Sequence, residues 1–549
     1  MKRYDLERVD LPKMSGTSLA MFARAIQTPI VGAAALDKLA ADAGVGVLAD
    51  ARLDEPPRPL PLVPVQIADP QRKDPAVDLS PIAAVTRTDR FTARQIVESY
   101  ERGETDPVKL TTEIFERIDR AQLGTVFIKK QLDHALRQAK ASKARWDEGK
   151  PLGPLDGVPV AVKDEMDLKP YPTTVGTKFL GREAAADDAT IVKRLRDAGA
   201  VFLGKANMHE IGINPNCANP HYGLVRNPYD PSRDTGGSSS GSAAAVAARF
   251  CPLALGADGG GSIRIPAALT GTVGLKATYG RISEHGVAPL CWTVGHVGPI
   301  GTSVADVALG YALIAGPDPL DANSLVQPPV ALDGLGEDLT GLRIGIFRPW
   351  FEHAEASIVS CCDAAVEHLV AAGAKRVDVD VPHLDLIRVA HAITILSEMA
   401  TSMDDHAEHH GELAPHVRVN LAVARRFTSA DYVRAQRVRN RAMAALDEVF
   451  EEIDLLVTPS TAITAPPIPV TDPKMAWSDL STVTELMRYA FLQNLTGHPA
   501  ISVPAGYDGA GLPIGLQLTG RHWEEALLLR AALVVEAATA YRPAPESAA

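Results

Sequence analysis

Residues 234–280 read DTGGSSSGSAAAVAARFCPLALGADGGGSIRIPAALTGTVGLKATYG, and this stretch decides the architecture. Two glycine- and serine-rich clusters, 236–242 and 259–262, are joined by an alanine-rich run and a short apolar segment at 253–257. Gly and Ser are also common in flexible turns. Here, however, both clusters open directly into helix-compatible apolar runs, AAAVAA and IRIPAALTG, so they read as strand-to-helix loops. Such loops present backbone N–H groups to an anion. Gly259, Gly260 and Gly261 followed by Ser262 place unobstructed donors beside a hydroxyl, as a tetrahedral acyl intermediate requires, and this points to a serine nucleophile.

A serine needs a base, and several segments compete for that role. Residues 237–241, GSSSG, match the G-x-S-x-G elbow, which makes Ser239 a nucleophile candidate with His498 or His522 as partner. No HGGG-type oxyanion motif precedes it, and short patterns arise easily in a Gly/Ser-rich stretch. Residues 199–206, GAVFLGKA, approach a phosphate-binding loop, but Ala206 cannot ligate magnesium and AVFL reads as a strand. Asp404, Asp405, His406, Glu408, His409 and His410 lack metal-site spacing and read as a solvated segment. Lys163 remains. It ends the apolar run 158–163 (VPVAVK), where a long cation either snorkels or is functional. If buried, its ammonium form loses solvation and the neutral, proton-accepting amine becomes accessible.

Working outward, strand candidates lie at 158–163, 200–204, 253–257, 342–347, 455–459, 500–504 and 514–518, with helical runs between most of them. This order predicts an α/β sheet covered by helices on both faces, with ligands at loops beyond the strand ends. Residues 15–45 carry short alanine-rich helical patterns, and 55–75 is proline-rich and read as an extended linker. The chain of 549 residues is 46% hydrophobic and 22% charged, which excludes disorder along its length. Its net charge of −12 disfavours a general nucleic-acid binder. Five cysteines without CxxC spacing indicate neither a disulfide framework nor a zinc cluster, so a reducing cytoplasm is the expected compartment. No signal peptide or membrane-spanning run is apparent.

Lys163 in VPVAVKD, the GGSSSGS cluster and GADGGGSIRIPAALTGTVGLKATYGR together resemble the amidase signature family of serine hydrolases. The likeness continues through TTVGTKFL, DDATIVKRLRDAGAVFLGKANMHEIG, VRNPYDPSR, DLLVTPSTAITAPPIP and NLTGHPAISVPAG, and covers about residues 85–545. The resemblance implies a three-layer α/β/α fold around a mixed sheet, with residues 85–549 as one catalytic domain and residues 1–80 as a helical extension plus linker. It implies a Lys, cis-Ser, Ser triad without metal or organic cofactor. On matching positions Ser262 is the acylated nucleophile, Ser238 the bridging serine after a cis bond from Gly237, and Lys163 the base. Gly259, Gly260 and Gly261 form the oxyanion hole, and Ser239, Asp258 and Arg264 support the loops. Three positions depart from the family pattern: Ser240 stands in place of glycine, Ala257 in place of Ser or Thr, and Ala206 in place of Thr.

The activity so implied is hydrolysis of a small or medium carboxamide, extending to aryl amides, esters and carbamates. The alternative is a glutaminase component resembling the A chain of glutamyl-tRNA amidotransferase, and a third reading is a non-catalytic relative. The acidic balance and the N-terminal extension favour the free-standing hydrolase, with no nucleic-acid partner and with a homodimer among the expected assemblies. Segments 211–222 and 288–294 are expected to line the substrate pocket, with Gly212, Cys291 and Trp292 in its wall. The charged region 401–443 lacks an apolar face suited to a membrane.

Overall fold

The computed structural model describes residues 4–6, 8, 13–28, 31–51, 77–85 and 89–545, so the proline-rich stretch at 55–75 lies outside the described residues. Among the described residues thirteen strands run in chain order as β1 (Met14–Ser15), β2 (Phe127–Lys130), β3 (Pro159–Lys163), β4 (Val201–Ala206), β5 (Leu253–Ala257), β6 (Val273–Lys276), β7 (Val297–Gly301), β8 (Arg343–Ile346), β9 (Lys375–Asp378), β10 (Leu455–Pro459), β11 (Trp477–Ser478), β12 (Ala500–Tyr507) and β13 (Pro513–Gly520). Eleven of them form one sheet in the order β2-β4-β3-β5-β7-β6-β12-β13-β10-β8-β9. The sheet is mixed. β3 runs parallel to β4 and β5, whereas β7 is antiparallel to both β5 and β6.

All seven strands expected from apolar runs are present, within one to three residues at each end. Four more in the sheet escaped sequence reading for two reasons. The edge strands β2 (FIKK) and β9 (KRVD) are too polar to show a buried face. β6 (VGLK) and β7 (VGPIG) are buried throughout but interrupted by glycine and proline, which suppress strand propensity.

Strand alternation sorts the core into two layers. Val160, Val162, Leu253 and Leu255 pack on one face with the helix Val304–Ile314, which Ser303 caps through its hydroxyl. Ala161, Ala254 and Ile300 pack on the other with the helix Ser240–Ala247. That helix is buried on almost every side, and its small residues let it lie close to the sheet. At Gly241 a Cβ would sit 2.4 Å from both Asn207 N and Val126 O.

The N-terminal helix Gly16–Ala25 sets Leu19 and Ala23 against Val419 of the helix Pro415–Ala424. β1 pairs with β11, tying residues 14–15 to 477–478. Among the described residues, no helix is long and apolar enough to cross a membrane.

Candidate active site

The alternation of β3 sends Lys163 toward the same face as Ala161, into the layer that holds the helix Ser240–Ala247. Its side chain is 1% exposed, and Nζ donates to Ser238 Oγ at 2.9 Å and to the Ala257 carbonyl at 3.2 Å. The Glu165 carboxylate lies 3.0 Å from the same nitrogen. Ser238 precedes the helix, and the Gly237–Ser238 peptide is cis. Beside it, the Ser239 hydroxyl donates to the Ala257 carbonyl at 3.1 Å and accepts from the Ala257 N–H at 3.3 Å, fastening this loop to the end of β5. Ser239 is therefore committed to backbone. His498 and His522 hydrogen-bond to Thr496 and not to it.

The second loop follows β5 directly. Asp258 and Arg264 are fully buried, with Arg264 Nε 3.0 Å from Asp258 Oδ2 and Nη2 3.1 Å from Oδ1. Burial alone raises a carboxyl, but here the guanidinium, together with Lys276 and Asn494, outweighs it and holds Asp258 well below the usual carboxylate range. Arg264 also reaches Gln493, Gln517, Asn494 and the Ala490 carbonyl, which anchors the loop to the helix Phe491–Thr496 and to β13. From above, His391 on the helix Leu384–Ser402 holds the Gly259 carbonyl through Nε2 at 2.7 Å, and burial lowers this histidine to about 4.

Gly261 departs from the expected oxyanion-hole arrangement. Its φ of +113° turns its N–H onto Asp258 Oδ1 at 2.6 Å, so this donor is already spent. The N–H groups of Gly259, Gly260 and Ser262 donate to no described residue. Ser262 is 7% exposed, its hydroxyl hydrogen-bonds to no described residue, and its carbonyl accepts from the Ser239 N–H at 3.4 Å. The two loops thus lie side by side.

A cavity of about 120 Å³ opens beside this constellation, bounded by Lys163, Ser238, Asp258 and Gly259 on its polar side. Gly212, Cys291 and Trp292 line its wall, together with Leu290 and Met399, and Trp292 is 40% exposed. Segment 288–294 therefore borders the cavity along most of its length, whereas segment 211–222 reaches it at Gly212. Glu165 and His391 were not singled out by sequence reasoning. The two-residue offset of Glu165 from Lys163 in KDE was the available signal; His391, on a distant helix, left none.

The Amidase family profile matches residues 109–529. The chain belongs to the amidase signature family. A fatty acid amide hydrolase of Arabidopsis thaliana is 37% identical over 97% of this chain and 94% of its own length. The A-type component of the Chloroflexus aurantiacus glutamyl-tRNA(Gln) amidotransferase is 38% identical over 78% of this chain and 92% of its own. Among solved structures, a peptide amidase from Stenotrophomonas maltophilia superposes with a TM-score of 0.70 at 30% identity, covering 83% of this chain and 98% of that one. Amide carbon–nitrogen hydrolysis is the chemistry of this amidase, and the serine, cis-serine, lysine triad is the known feature of its family.

Proposed function

We propose that this amidase cleaves a small or medium carboxamide through an acyl-enzyme on Ser262. The observation that carries this reading is the 2.9 Å hydrogen bond from Lys163 Nζ to Ser238 Oγ, placed beside the loop that bears Ser262. With Lys163 as the terminal base, Nζ takes the Ser238 proton as Ser238 takes that of Ser262, and Ser262 Oγ bonds to the substrate carbonyl carbon. The N–H groups of Gly259, Gly260 and Ser262 receive the oxyanion, while Gly261 serves the loop through Asp258. The relay then runs backward. Lys163 returns its proton through Ser238 to the leaving nitrogen, the carbon–nitrogen bond breaks, and water uses the same path to release the acid.

The apolar wall of the cavity suits an aliphatic or aryl group beside the scissile bond. Fatty acid amide hydrolases match nearly the whole chain, N-terminal helices included, whereas the amidotransferase component matches a smaller share, which supports a free-standing enzyme. In this reading it works in the cytoplasm, alone or as a homodimer, on small-molecule amides. The test is hydrolysis of an amide, anilide, ester and carbamate panel by wild type, Ser262→Ala and Lys163→Ala. Loss of activity in both variants is expected; full activity in both on the best substrate refutes the triad.

A further inference from the structure

The cavity wall carries two acceptors with nothing to accept from. His296 is 5% exposed and lines both the main cavity and a smaller one adjoining it. Its Nδ1 lies 2.9 Å from the Val294 carbonyl, and because a carbonyl only accepts, Nδ1 carries the proton. Nε2 is thereby an acceptor, and it is buried without a hydrogen-bond partner. Burial, reinforced by Lys276, pushes this imidazole well below its ordinary range, which keeps Nε2 unprotonated. Glu284 lines the same two cavities, and its carboxylate accepts no hydrogen bond from any described residue. Burial raises this carboxyl well above its ordinary value, and Asp321, Glu165 and Glu398 add to the effect. Two neighbouring donors are engaged elsewhere: the Tyr279 hydroxyl is on the Trp292 carbonyl, and Lys163 is on Ser238, Ala257 and Glu165. The cavity therefore has an apolar wall and one corner where two polar groups both seek a proton.

We propose that Glu284 and His296 form a subsite that takes a hydrogen-bond donor, a hydroxyl or an ammonium, at the end of the substrate opposite its apolar part. The proposal rests on the acyl-enzyme reading above and names the substrate class within it: amides with a donor-bearing tip. A site built to hydrogen-bond such a tip rejects the analogue lacking it, because the acceptors are then left unpaired.

The probes are matched triplets of alkyl amides ending in a hydroxyl, an ammonium or a methyl group, with the tip on the amine in one set and on the acyl chain in the other. In one set, wild-type kcat/KM is expected to favour the donor-bearing members over methyl by about tenfold or more. Glu284→Leu should collapse that ratio to within about threefold, while the rate of Ser262 labelling by a small fluorophosphonate stays within about threefold of wild type. Glu284→Gln, which keeps an acceptor oxygen but cannot ionise against a bound cation, should retain the hydroxyl preference and lose that for ammonium; this variant decides the matter if the leucine variant does not fold. A wild type indifferent to the tip in both sets, a hydroxyl ratio unchanged in folded Glu284→Leu, or an ammonium ratio unchanged in folded Glu284→Gln overturns the subsite and leaves the acyl-enzyme intact. A wild type that does not label Ser262 overturns the acyl-enzyme reading and the subsite with it.

Discussion

Arg264→Met removes the cation that holds the oxyanion loop from within, and its effect can be worked from the contacts. Asp258 loses both guanidinium bonds, at 3.0 and 3.1 Å, and keeps the backbone N–H groups of Gly261 and Ile263 and the Asn494 amide. Gln493 Oε1, Gln517 Oε1 and the Ala490 carbonyl each lose a donor. Removing one partner of a fully buried pair costs about 3–5 kcal/mol, because the other charge stays buried and uncompensated. Against a typical total of about 5–15 kcal/mol this is severe but survivable. The cost also depends on pH. In wild type the Asp258 carboxyl is depressed below its ordinary 3.8, so its contribution is complete above that value and is lost only below it. In the variant the same buried carboxyl, without its guanidinium, is expected to titrate higher than in wild type, so its penalty is largest at neutral pH and fades as pH falls. Urea unfolding of both proteins at about pH 7.5 and about pH 4.5 reads the difference, and groups common to both cancel. The expected gap is about 3–5 kcal/mol at the higher pH and clearly smaller at the lower. A gap under about 1 kcal/mol at neutral pH, or one equally large at both, refutes the reasoning.

Gly241→Ala forces a methyl to within 2.4 Å of backbone atoms of Asn207 and Val126, which cannot step aside as side chains do. A loss of about 1–3 kcal/mol or more and a lower Tm are expected by calorimetry; an unchanged Tm would show that the helix sits farther from the sheet. Burial lowers His209, His391 and His522 to about 4 and pushes His296, His416 and His498 well below their ordinary range. The unfolded chain therefore binds protons near pH 6.5 that the folded chain refuses until about 4. Stability should be flat above that window and fall through it at about 1.4 kcal/mol per pH unit for each proton taken up, and a denaturation series showing no slope would contradict it. Lys163→Ala should lower kcat/KM by about 10²–10⁴-fold without unfolding the chain, checked by kinetics beside circular dichroism.

The apolar strands of the sheet were legible because β3, β5 and β10 are short runs buried at every position. The edge strands and the glycine-broken β6 and β7 were not, since their place in the sheet comes from pairing partners far away in the chain. At the site, Lys163 and Ser262 stand out in sequence because a cation ends an apolar strand and a hydroxyl follows a triple glycine, whereas Ser238 is set apart from its neighbour Ser239 only by the family resemblance. The direction of the Gly261 N–H was hidden, because it depends on which acceptor the Asp258 side chain offers. Glu165 and His391 show the same limit. Charge pairs and carbonyl contacts are decided by tertiary approach, and a motif carries no record of them.

The central claim is that Ser262 is the residue acylated. Incubation with a fluorophosphonate, followed by digestion and mass spectrometry, tests it most directly. The account predicts a single adduct on the peptide bearing Ser262, lost in Ser262→Ala and slowed in Lys163→Ala. An adduct on Ser239 or Ser238, or none in a folded and active preparation, would contradict it.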